Sequence, residues 1–194
     1  QNEARTFVWT ESKFLHMWWQ EQGPEMKDTL RYLIANDQWH FVNGGWCMHD
    51  EAATHYVGMI DQTTMGHQFL LQEFNVVPKI GWQLDPFGHS ATQASLMTAG
   101  VGMEALFFGR FDQQDLTLRK STRQCEGFWK PSEHHDAVFW GLTGSYRGNY
   151  GAPEGYCFDS LCNHDEQLLG LKEDAIKERL YDFLQDLRVQ SDET

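Results

Sequence analysis

The sequence predicts an α/β fold built on a mainly parallel sheet, and three observations carry that prediction. Short apolar runs alternate with longer amphipathic stretches along the 194 residues, which is the signature of successive βαβ units. The strand-like runs end in charged or glycine-containing turns, at Glu11, Gly44-Gly45, Asp85 and Gly109-Arg110. The length suits one domain with a sizeable core, and no repeat, low-complexity tract or linker divides it.

Each element has a local reason. Phe7, Val8 and Trp9 form a short apolar run that stops at Glu11, a first strand. Residues 13–21 and 24–36 read as helices, the second opened by Pro24, whose fixed φ suits a first helical position. Residues 39–42 make a second strand before Gly44-Gly45. Asp50 and Glu51 precede a long helix with apolar positions at Ile60, Leu70, Leu71 and Phe74, and are expected to offset its dipole. Residues 79–84 form a third strand that delivers Asp85. A helix over about residues 92–99 leads to a fourth, Ala105-Leu106-Phe107-Phe108. Two further apolar runs cover residues 125–129 and 137–142, and a helix over residues 171–187 closes the chain with Leu171, Ile176, Leu180 and Leu184 near one face. Right-handed crossovers are expected to set every strand's carboxyl end on one side, gathering Glu11, Asp85 and Arg110 there.

Composition narrows the function. With 28 acidic against 15 basic residues the net charge is -13, and no basic face suits nucleic acid. No apolar run approaches the length of a membrane span. Aromatic residues reach 14%, including eight Trp and thirteen Phe, enough for a core and for a cleft lined with rings that bind sugars. Four cysteines are present. Cys157 and Cys162 lie close together, so a local disulfide or two buried thiols are both open, while Cys47 and Cys125 are isolated; the spacing excludes a zinc finger. No Asn-X-Ser/Thr acceptor occurs.

The chemistry concentrates at Asp85-Pro86-Phe87-Gly88-His89-Ser90. Pro86 cannot continue a strand ladder and drives Asp85 out of helical backbone. The carboxylate is therefore presented at a strand's carboxyl end, where α/β sheets and barrels place reacting groups. His49, Asp50, Glu51 and His55 resemble a metal cluster at first sight, but the order lacks the two imidazoles at i and i+4 of a zinc helix. His67 suits a hydrogen-bonded core position, His89 a structural hydrogen bond, and His134-His135 a solvated loop. Trp18-Trp19 falls inside a helical period and reads as core.

Leu84-Asp85-Pro86-Phe87-Gly88-His89-Ser90 closely resembles the nucleophile motif of the α-mannosidases of glycoside hydrolase family 38. The likeness runs over nearly all of the chain. It includes Phe7-Val8-Trp9-Thr10-Glu11 with Met17-Trp18-Trp19, Asn43-Gly44-Gly45-Trp46 with Asp50-Glu51-Ala52, and Phe107-Phe108-Gly109-Arg110. The Cys157-Phe158-Asp159-Ser160-Leu161-Cys162 segment is similar to the lysosomal branch.

The resemblance implies part of a seven-stranded β/α barrel with mainly parallel strands, and a zinc-dependent retaining exo-α-mannosidase acting on mannose-containing oligosaccharides. On that reading Asp85 is the nucleophile and also a ligand of Zn2+, and Phe87 lies against the mannose ring. Arg110 is the cationic neighbour of the nucleophile, and Tyr150 contacts the sugar. The resemblance further implies a Cys157–Cys162 disulfide and a lysosomal, vacuolar or secreted location. In the family the His-X-Asp zinc ligands lie before the first strand seen here, and the acid/base Asp and last zinc His lie beyond Thr194. Residues 1–194 are therefore expected to be a fragment of the catalytic domain, inactive alone and partnered by other segments of the same polypeptide. The competing class is a non-catalytic carbohydrate-binding barrel, in which Asp85, Phe87 and Arg110 hold a sugar without attacking it.

Overall fold

A computed structural model of the chain describes residues 4–143 and 172–193. The first strand, β1 (Phe7–Trp9), pairs in parallel with β2 (Trp39–Phe41), in the register Val8 opposite His40. Between them run α1 (Ser12–Glu21) and α2 (Pro24–Ala35), with Pro24 at the first turn of α2 as its lack of an N–H allows. The long helix α3 (Tyr56–Phe74) follows β2 and ends at Asn75, whose left-handed backbone (φ 56) returns its N–H to the last carbonyls.

A four-stranded sheet follows, in the order β3 (Ile80–Gln83), β4 (Ala105–Phe108), β6 (Val138–Leu142), β5 (Glu126–Trp129). The β3–β4 and β4–β6 pairs are parallel. The two sheets meet at Asn43, whose backbone N–H donates to the Ile80 carbonyl at 2.7 Å. Between β3 and β4 lies α4 (Ala91–Ser95), which widens into a π-helical turn over Leu96–Gly100. The chain then forms α5 (Gln113–Thr122) and, after the undescribed segment, α6 (Glu173–Glu193).

The common strand direction has one exception. β5 runs antiparallel to β6, with Glu126 opposite Gly141 and Trp129 opposite Val138. The connection over residues 130–137 is too short for the crossover that a parallel neighbour requires, so the chain reverses as a hairpin. The amino end of β5, not its carboxyl end, thus lies level with the carboxyl ends of β4 and β6.

Packing divides into two apolar clusters on the helix-covered side. Leu15, Trp19, Leu30, Phe41, Phe69 and Leu70 join α1, α2 and α3 to the first strand pair. Leu106, Phe108, Val138, Trp140 and Leu142 pack with Ala94, Met97, Met103, Leu116 and Cys125 behind the second sheet. Trp19 is core, whereas its neighbour Trp18 is 37% exposed, so the helical period buries one ring of the pair. In α3 the buried positions are Met59, Thr63, Gly66, Phe69 and Leu70, while Ile60 and Leu71 face outward. Ile176, Leu180 and Leu184 of α6 are likewise exposed; Leu171 lies outside the described residues.

Candidate active site

The site begins where the β3–β4 ladder runs out. Gly109 and Arg110 donate backbone N–H groups to the carbonyls of Gln83 and Leu84, at 3.3 and 3.0 Å. Pro86 offers no donor to extend that ladder. Asp85 and Arg110 are thus brought side by side at adjacent strand ends, and Arg110 Nε donates to Asp85 Oδ1 at 2.6 Å. The guanidinium carbon stands 4.6 Å from the centre of the Phe87 ring, within cation–π range. Phe87 is 83% exposed. An apolar ring held that far into solvent contributes little to folding, and it stands against the guanidinium of the Asp85–Arg110 pair.

Phe87 separates two hollows. The first, of about 360 Å³, is lined by Glu11, Met48, His49, Asp50, Asp85, Pro86 and Phe87. The second, of about 550 Å³, is bounded by Phe87, His89, Arg110, Asp112 and Asp115 among others. Glu11 reaches the first hollow from the end of β1, and its Oε1 accepts the Met48 N–H at 2.8 Å. The sequence expectation that Glu11, Asp85 and Arg110 occupy one side therefore has a geometric counterpart. Phe87 is their neighbour there.

The far wall of the first hollow is a tightly fastened loop. Asn43 and Gly44 both adopt positive φ (56 and 77). Gly44 N–H donates to the Thr10 carbonyl, Trp46 N–H to the Gln62 carbonyl, and Ser12 Oγ to the Gly44 carbonyl. His67 Nε2 donates to the Asn43 carbonyl at 2.8 Å. Helix α3 lies so close that a Cβ on Gly66 would overlap the Gly44 oxygen and sit 2.5 Å from the Gly45 carbonyl carbon. Cys47 sits on this loop with a free thiol; partial burial, then the Glu11 charge, push that thiol's pKa up, which disfavours the thiolate.

Asp50 and Glu51 do not head the long helix, contrary to the sequence expectation. A separate turn intervenes, and the cap of α3 is His55, whose Nδ1 accepts the Val57 N–H at 3.2 Å. Asp50 Oδ1 instead accepts N–H groups from Ala52 and Ala53 at 2.8 and 2.6 Å, and these two bonds, Ala53 first, hold its carboxyl below the ordinary value. Glu51 turns inward, where its side chain is only 2% exposed and meets His89. His49 is also buried, bonded to Gln93 Oε1 through Nε2 and to Gln62 Nε2 through Nδ1. In the sequence Glu51 reads as an acid at a helix amino terminus, which does not reveal a partner arriving from a distant turn.

Tyr150, Cys157 and Cys162 lie outside the described residues. Among the described residues no three His, Cys, Asp or Glu side chains converge as a metal site. The Asp85 carboxylate is half exposed at the strand end and has the chemistry of one hard oxygen ligand, so the described residues fit a zinc ion only as the source of a single ligand. No described helix is long and apolar enough to cross a membrane.

The fold has a counterpart of known structure. The crystal structure of 4-alpha-glucanotransferase from Thermococcus litoralis matches with a TM-score of 0.53 at 15% identity, covering 73% of this chain and 22% of that one. Sequence relatives are far nearer. An alpha-mannosidase of Canavalia ensiformis is 43% identical over 187 residues, covering 96% of this chain and 18% of the relative. Lysosomal alpha-mannosidases of Cavia porcellus and Dictyostelium discoideum are 45% and 42% identical, covering 82% and 81% of this chain and 16% and 15% of their own lengths. The chain thus spans less than a fifth of these relatives. Glycosyl hydrolases family 38 N-terminal domain matches residues 1–194, and with identities of this size over most of its length the chain belongs to glycoside hydrolase family 38.

Proposed function

We propose that residues 1–194 carry the nucleophile side of a retaining α-mannosidase site, with Asp85 as the attacking group. The observation that carries this reading is the Asp85–Arg110 bond of 2.6 Å beneath the exposed Phe87 ring, at adjacent strand ends of a family 38 chain. The hydrogen bond to Arg110 orients the carboxylate, and the ring of Phe87 offers an apolar platform for one face of a sugar. In the reaction a carboxylate oxygen of Asp85 bonds to the anomeric carbon as the bond to the aglycone oxygen breaks, and a second carboxyl group protonates that leaving oxygen. Water, deprotonated by the same second group, then displaces Asp85 and restores the starting configuration. That second group lies among residues other than those described, as do the further ligands of zinc. Zinc, when bound beside Asp85, supplies a Lewis acid that accepts sugar hydroxyls.

The sheet seen here is then part of a seven-stranded β/α barrel completed by further segments of the polypeptide. The substrates are oligosaccharides ending in α-linked mannose, N-glycans among them. The lysosomal relatives support a lysosomal or secreted location, in which Cys157 and Cys162 are bonded and Tyr150 contacts the sugar. The isolated 194 residues hydrolyse no aryl α-mannoside. The test is a fluorinated mannoside bearing a good leaving group, applied to the full-length protein, which traps the glycosyl-enzyme for peptide mapping. The adduct is expected on Asp85. An adduct on another carboxylate would overturn the assignment, and mannoside binding with neither adduct nor turnover would make this a carbohydrate-binding barrel.

A further inference from the structure

His89 has an acceptor at each ring nitrogen. Nδ1 lies 2.8 Å from Glu51 Oε2, and Nε2 lies 2.9 Å from the backbone carbonyl oxygen of Arg110. A carbonyl oxygen only accepts, so Nε2 carries a proton. An ionised Glu51 also only accepts, so Nδ1 carries the second. The pair is deeply placed, with side-chain exposures of 10% for His89 and 2% for Glu51. At that depth an unpaired carboxylate is strongly disfavoured, and a cation bonded through both nitrogens is the partner that satisfies it. The ring also stacks on Phe108 of β4, with centroids 4.1 Å apart.

The bonds join three places distant in sequence: the loop after β2, the turn after β3 and the end of β4. The residue held by its main chain is Arg110, whose side chain holds Asp85. We infer that the Glu51–His89 ion pair positions the nucleophile, fixing the Arg110 backbone so that the guanidinium meets Asp85. This rests on the reading of Asp85 as nucleophile. The other charged groups that share a hollow with the ring are Arg110, Asp112 and Asp115 in the second hollow, and Arg119 of α5 and Glu126 of β5 in a neighbouring one. His49 and Asp50 belong to the Glu51 loop, where His49 is bonded to Gln93 and Gln62. None of these lies between His89 and its two acceptors.

The test uses the full-length protein. His89→Phe keeps a ring against Phe108 and removes both hydrogen bonds, so kcat should fall about 10- to 100-fold with KM little changed, the range for a displaced catalytic geometry. Glu51→Ala should show the same loss. Glu51→Gln should recover most of it, because the amide N–H donates to Nδ1 of a neutral ring that still donates from Nε2. Nitrogen NMR of the wild-type protein should show both His89 ring nitrogens protonated. A neutral single tautomer, an unchanged kcat in His89→Phe, or a Glu51→Gln variant no better than Glu51→Ala would each overturn the inference. Asp85→Ala serves as the separate control. Full turnover there would sink the nucleophile reading, while the NMR readout would still decide the ion pair.

Discussion

The two loops that wall the first hollow are built in opposite ways. The loop after β2 is clasped through its main chain, by bonds from Gly44, Trp46 and Ser12 and by the close approach of Gly66. The turn after β3 has a proline where a ladder donor would stand, and side chains hold it: Arg110 on Asp85, His89 on Glu51 and Arg110 on Phe87. Backbone clasps tolerate changes of side chain wherever no Cβ is added. A turn held by side chains tolerates change in stability where those side chains are exposed, at Asp85 and Phe87, and not where they are buried, at Glu51 and His89. Asp85, the proposed nucleophile, sits on the second kind.

Substitutions on either side can break or sharpen that contrast. The largest effect is expected from Asp85→Ala, which should lower kcat/KM of the full-length enzyme by about 10³-fold or more, as for other lost nucleophiles. Its urea midpoint should move little, because Asp85 is half exposed; a large drop in stability would show the turn to be structural. Gly66→Ala should do the reverse, destabilising by about 3 kcal/mol in urea unfolding through overlap with the Gly44–Trp46 backbone. Unchanged stability there would mean that α3 and the loop separate easily.

Phe87→Ala should weaken mannoside binding about 10-fold, close to 1.4 kcal/mol, while leaving unfolding within about 0.5 kcal/mol of wild type. Equal losses in both measurements would erase the distinction. The smallest effect belongs to Asp50. Its folded pKa lies below the ordinary 3.8, so its stabilisation is complete above that value and disappears as pH falls through the lower folded value. Asp50→Asn should therefore flatten the acid limb of the stability curve slightly. A wild-type limb would show that the bonds to Ala52 and Ala53 persist in the unfolded chain.

Much of the architecture follows from local pattern, and the exceptions have physical causes. Phe7–Trp9, Trp39–Phe41, Ile80–Gln83 and Ala105–Phe108 are apolar runs closed by turn residues, and each is a strand. Helix α5 escapes an apolar-period reading because Leu116 is its one buried hydrophobic residue. Its signal is instead Asp112, which caps the Gln114 and Asp115 N–H groups, with Arg119 and Lys120 in the last turn. The reversed direction of β5 is not in its own residues, since Glu126–Trp129 reads the same in either pairing; the short connection over residues 130–137 carries it. At the site, adjacency of Asp85 and Arg110 is legible because both end neighbouring parallel strands. The burial of Glu51 is not, because its partner lies 38 residues away and is met only through the fold.

The clasp around Asn43 also bears on how the chain acquires and loses its structure. Its bonds close separations of 24 residues to His67, 32 from Ser12 to Gly44 and 39 to Trp82. Each bond closes a long loop of its own, a cost met before the contact rewards it, so the clasp is expected to consolidate late in folding. Contacts made after the barrier act on its far side. Weakening them, as Gly66→Ala does, should leave the refolding rate nearly unchanged and accelerate unfolding, steepening the loss of native protein with time at a fixed denaturant concentration.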